Sequence, residues 1–170
     1  MKESSYLQGR ADLVEKFKKI PFLKAFAEEH IHAILDLSRM RRYEAGEEII
    51  VEGSLDRWIY IIVIGGVKVF KQGREVATLD KVGDIFGEMA ILDSGERSAT
   101  VKASVETVCL AFDVSYMDNV KLPDLSAFYV IFYRMLAEVL ANRLRFATEE
   151  LARFKGKLEM MEFFVEQRWY

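Results

Sequence analysis

Residues 86–101 read FGEMAILDSGERSATV, and they place a glycine, a carboxylate and an arginine within eleven positions. Gly87 precedes the helix-compatible run Met89–Leu92, and a helix N-terminus offers unpaired N–H groups and a positive dipole end that suit a phosphate. Nine positions after Glu88 comes Arg97, at the start of the strand-like run ATVKASV. A guanidinium grips a phosphate through parallel, charge-assisted hydrogen bonds, which makes Arg97 the candidate phosphate ligand. A carboxylate beside an anion site should repel the ligand unless it accepts a hydrogen bond from a sugar hydroxyl, so Glu88 points to a ribose. From the residues alone a second reading stays open: a glycine turn, an exposed glutamate and an arginine at a strand start, with no ligand.

Outward from this stretch, 43–113 is a series of short β-rich runs: EEIIVEG, DRWIYIIVIGG, VKVFKQG, REVATLD, ATVKASV and TVCLAFD. Glycines at 46, 53, 65, 66, 73 and 83 stand where one strand hands over to the next. Seven or eight antiparallel strands fit, and they predict a jelly-roll-like β-barrel able to hold one small ligand. The fold class is therefore mainly β with flanking helices. An N-terminal helical flank covers 1–40, the barrel covers 41–113, and C-terminal helices cover 114–170.

In the N-terminal flank, apolar clusters recur at helical spacing (Leu13, Val14, Phe17; Phe22, Phe26; Ile31, Ile34, Leu35), and Pro21 divides them into short helices. Beyond the barrel, Asp124 behind Pro123 is an N-cap candidate for a long helix. From 140 onward, Leu140, Leu144, Ala147, Leu151, Phe154, Leu158, Met161 and Val165 alternate at spacings of four and three. That is a heptad seam, and it predicts a homodimer through the C-terminal helix. The alternative is a helix that buries the same stripe on its own barrel.

The chain has 170 residues and a net charge of -3, so nothing in its overall balance favours nucleic acid or an anionic membrane. Its one cysteine, Cys109, lies in a strand-like run and reads as a buried structural thiol. No secretory signal stands at the N-terminus and no apolar run approaches the roughly 18 residues of a bilayer span, so the expectation is a soluble, cytoplasmic protein with no membrane partner. His30 and His32, two apart on a helical segment, point away from each other and read as ordinary, partly exposed helix residues rather than a metal pair. No Ser-His-Asp set, phosphate-binding P-loop or dinucleotide fingerprint occurs, so no enzyme is expected, and no cofactor or metal.

The stretch at 86–101 resembles the phosphate-binding cassette of the cyclic nucleotide-binding domain family: FGE, an aliphatic residue and alanine, a loop, then Arg-Ser-Ala-Thr. The resemblance extends to YEAGEEIIVEG at 43–53 and WIYIIVIGGVKVF at 58–70, and spans roughly 10–150. It implies that Glu88 binds the ribose 2'-hydroxyl, that Arg97 binds the cyclic phosphate, and that the backbone of Gly87, Met89, Ala90, Ser98 and Ala99 completes the cradle. Serine rather than threonine at position 98 implies cAMP, with cGMP as the other candidate ligand. NRLRFATEELA at 142–152 resembles the central helix of the family's bacterial transcription factors, which implies that Thr148 reaches the purine and Arg143 pairs with Glu88. Those proteins continue into a DNA-reading domain. Here only about fifteen residues follow Lys155, too few for such a domain of roughly 50, so the expectation is a regulatory sensor acting through an unknown protein effector, without direct DNA binding. A nucleotide-free dimerisation or scaffold module, and a fragment of a transcription factor, are the alternatives.

Overall fold

The computed structural model describes residues 1–7, 14–15, 17–89, 95–115 and 125–166. Nine strands are present among them: β1 Lys2–Tyr6, β2 Ser38–Tyr43, β3 Glu48–Ile50, β4 Trp58–Ile64, β5 Val67–Lys71, β6 Arg74–Leu79, β7 Ile85–Phe86, β8 Thr100–Ala103 and β9 Thr107–Asp113. They form two antiparallel sheets, in the orders β1-β2-β9-β4-β7 and β3-β8-β5-β6. The expected barrel is thus a jelly-roll-like pair of sheets, not a closed cylinder. Among the described residues no hydrogen-bonded strand pair joins the two sheets, so each keeps its edges.

The core between the sheets is built by alternation. Tyr60 and Ile62 of β4, Cys109 and Ala111 of β9, Val67 of β5, Val101 of β8, Ile50 of β3 and Phe86 of β7 make one buried cluster. The opposite faces of the two central strands are buried as well, through Ile59, Ile61, Leu110 and Phe112, so these strands read as continuous apolar runs. Burial lifts the Cys109 thiol to about 12, which keeps it protonated and chemically quiet.

Gly65 shows why the glycine punctuation is obligatory at the β4–β5 turn. Its φ is +88°, and a Cβ there would stand 2.4 Å from the Glu106 carbonyl. Thr107 then closes the turn: its hydroxyl donates to the Gly66 carbonyl at 2.8 Å.

The N-terminal flank departs from the all-helical expectation. A 3-10 turn, Pro21–Ala25, and helix α1, Glu28–Asp36, are present, but Lys2–Tyr6 is a strand paired with β2. The sequence KESSY has no apolar alternation, and what makes it a strand is the unpaired outer edge of β2. His30 also differs from expectation. It is 4% exposed, with its ring edge-on to Phe26 and to Phe128 at centroid distances of 6.3 and 5.7 Å.

Helix α2 runs from Leu125 to Glu166. The expected N-cap Asp124, Pro123 before it and Leu13 lie outside the described residues. Residues Met1–Ile131 and Phe132–Tyr170 form two separate compact units. In the second, the heptad stripe is open: Leu144, Leu151, Phe154, Leu158 and Met161 are each more than half exposed, and Ala147 is exposed. The span Leu125–Glu162 is long and apolar enough to cross a membrane by length and composition, with a mean hydropathy of 1.2 in its best window. That differs from the expectation that no such stretch exists. The core helix of a soluble protein meets the same criterion.

Candidate functional site

The Gly87 turn, the β3–β4 loop and the start of β8 converge on one buried cation. Backbone bonds hold the loop to the strand: Gly53 N–H donates to the Arg97 carbonyl at 2.8 Å, and Arg97 N–H donates to the Ser54 carbonyl at 2.9 Å. This clamp places the Arg97 side chain inside the domain, where the residue is 3% exposed.

Four hydrogen bonds surround the guanidinium. Nη1 donates to the Gly87 carbonyl at 2.7 Å, Nη2 to the Trp58 carbonyl at 2.6 Å, and Nε to Asp56 Oδ2 at 3.1 Å. Nη2 also donates to the second Asp56 oxygen, completing a bidentate ion pair. Burial by itself would raise the Asp56 carboxyl, but hydrogen bonding and the charge of Arg97 outweigh it and hold the group below its ordinary range. Asp56 is the site residue that sequence reasoning missed. The signal was its place at the head of DRWIYIIVIGG, a run read only as strand.

Gly87 is required by geometry. Its φ is +85°, and a Cβ would fall 2.7 Å from Arg97 Nη1, 2.8 Å from the Trp58 carbonyl and 3.2 Å from Ile50 Cδ1. Next to it, Glu88 is 1% exposed. The expected exposed glutamate of the ligand-free reading is therefore a buried one. Burying a carboxylate and a guanidinium on either side of one turn is costly unless polar partners repay it, which marks the place as more than a surface turn.

Of the other expected residues, Met89 is 46% exposed, and the Ser98 hydroxyl is 3.5 Å from its sulfur. Ser98 is exposed and Ala99 half-buried, and the Ser98 carbonyl accepts from Lys71 Nζ at 2.8 Å. Ala90 and the rest of 90–94, including the expected helical run, lie outside the described residues. Gly87, Glu88, Met89, Arg97, Ser98 and Ala99 thus belong to one unit of the fold. Thr148 and Arg143 belong to the other; Thr148 is exposed and its hydroxyl donates to the Leu144 carbonyl at 2.8 Å, and Arg143 is half-buried.

Such a fold and site define a two-sheet β-domain with a guanidinium and a carboxylate buried beside one glycine turn. Residues 40–121 match the family described as the cyclic nucleotide-binding domain. The chain is 35% identical over 140 residues to a cyclic AMP receptor protein of Thermus thermophilus, across 79% of this chain and 62% of that protein. It is 29% identical to a cGMP-dependent protein kinase of Eimeria tenella, across 85% of this chain and 14% of the kinase. Among solved structures it resembles the Thermus thermophilus catabolite activator protein, with a TM-score of 0.62 at 33% identity over 79% of this chain and 63% of the other. The chain therefore spans less than two thirds of each of these relatives.

Proposed function

We propose that this chain is a regulatory sensor that binds a cyclic nucleotide, with Arg97 on the cyclic phosphate and Glu88 on the ribose 2'-hydroxyl. The observation that carries the reading is Arg97 itself: a buried guanidinium bonded to the carbonyl of a left-handed glycine turn, directly before a buried glutamate. The backbone of Gly87, Met89, Ala90, Ser98 and Ala99 would line the phosphate. Serine at 98 and the cyclic AMP receptor relative favour cAMP, and the cGMP-dependent kinase relative keeps cGMP as the competing ligand.

Two copies would associate through the open seam of α2, and the response would pass to a protein effector. Thr148 and Arg143 are the proposed contributions of α2 to ligand binding, and replacing either should lower affinity. Ligand binding alters such a protein only to the extent that it prefers one arrangement over another.

Titration calorimetry with cAMP and cGMP tests the reading. The expected result is saturable binding, tighter for cAMP, that is abolished by Arg97→Leu and weakened several-fold or more by Glu88→Ala. Absence of heat from either nucleotide at millimolar concentration would overturn it, and normal binding by Arg97→Leu would remove Arg97 from the site.

A further inference from the structure

Glu3 of β1 stands directly opposite Arg41 of β2, and Arg41 stands opposite Cys109, whose side chain lies in the core between the sheets. Residues opposite one another across a ladder share a face, so the first strand aims an acid at the inner side of the sandwich. Glu3 accepts from Arg41 Nε at 2.5 Å and from Arg39. Arg41 is only 12% exposed at its side chain; its guanidinium lies 4.0 Å over the Trp58 ring and donates to the Tyr60 hydroxyl at 2.9 Å.

Both aromatic residues lead to the Arg97 site. The Trp58 carbonyl accepts from Arg97, and the Tyr60 ring stacks on Phe86, at 5.0 Å between centroids, just before Gly87. Arg41 also acts on Asp56 through its charge. A row of alternating charges results: Glu3, Arg41, Asp56, Arg97.

We propose that the first strand is part of the ligand site in function. Glu3 and Arg41 are positioning residues that set, through Asp56, how firmly Arg97 is withheld from an anionic ligand. The proposal rests on Arg97 as the phosphate residue. In the row, Asp56 is hydrogen-bonded to Arg97 and lies within the field of Arg41, and Glu3 is bonded to Arg41. Removing the Glu3 charge leaves Arg41 short of an anion, so Arg41 draws on Asp56 and loosens its hold on Arg97 Nε and Nη2. Docking or release of β1 would change ligand affinity from outside the site.

The test uses the full chain carrying Trp169→Phe, so that Trp58 is the sole indole, with cAMP as the probe. Glu3→Gln is expected to tighten binding about fivefold, to shift Trp58 emission as Arg41 moves off the ring, and to be rescued by Glu3→Asp. In an Asp56→Asn background Glu3→Gln should leave affinity unchanged. Glu75→Gln, which removes the same charge from the Lys68 pair on the other sheet, should also leave it unchanged. An equal effect of Glu3→Gln in both backgrounds, or an equal effect of Glu75→Gln, overturns the proposal in favour of general electrostatics. If the parent protein binds no cyclic nucleotide, the reading of the site falls, and Trp58 emission alone decides the charge row: a shift with Glu3→Gln that Glu75→Gln does not produce supports it, and no shift overturns it.

Discussion

Gly87 joins the two buried charges of the site, because its carbonyl accepts a hydrogen bond from Arg97 and its chain neighbour is Glu88. A side chain here meets two obstacles at once, a left-handed backbone and the Trp58 carbonyl at 2.8 Å, which cannot swing aside as a side chain can. Gly87→Ala should therefore cost about 1–3 kcal/mol of stability and push Arg97 from its place. Thermal unfolding and cAMP calorimetry together check this: a lower midpoint with lost binding is expected, and an alanine variant that melts and binds like the parent would refute the geometric argument. Asp56 carries the opposite lesson. Its role depends on a neighbour 41 positions away in sequence, a distance over which no local pattern operates.

At the scale of the element, α2 is where sequence periodicity was most informative. The stripe from Leu144 to Met161 is exposed in the single chain, so it is an apolar face in want of a partner. In a parallel, in-register pair its flanks are complementary: Glu150 would face Lys155 of the second copy, and Lys157 would face Glu162. Gly156, which lies off the seam, weakens the distal helix by about 1 kcal/mol relative to alanine. Sedimentation at tens of micromolar should show a dimer, and Leu151→Asp, placing a charge in the seam, should halve the mass. A parent protein that sediments as a monomer would leave the stripe without its second copy. The element that periodicity did not disclose is β1, whose strand character comes from the edge it completes.

The whole molecule expresses these local charges in its response to acid. Asp56 and Glu3 both titrate below their ordinary range, because the guanidiniums beside them outweigh the effect of burial. A depressed folded-state value means stability that is fully present above the unfolded value and lost as pH falls through the folded one. Unfolding free energy should accordingly decline below about pH 4, and Asp56→Asn should flatten that decline. Denaturant titrations from pH 7 to pH 2 measure it; identical slopes in the two proteins would show that the Asp56–Arg97 pair contributes nothing to folding.

By itself the sequence determined the strand-rich centre, the glycine turns, the cassette from Phe86 to Val101 and the helical seam. Each is a local or periodic property: alternation at period two, left-handed positions that only glycine fills cheaply, and heptads at 3.5. Only the tertiary structure decided that the sheets stay open, that Glu88 and His30 are buried, that Lys2–Tyr6 joins a sheet, and that Asp56 holds Arg97. These depend on which side chains meet after distant segments pack. A one-dimensional pattern carries no record of a guanidinium fixed by four hydrogen bonds to the β3–β4 loop, the Gly87 turn and the first residue of β4.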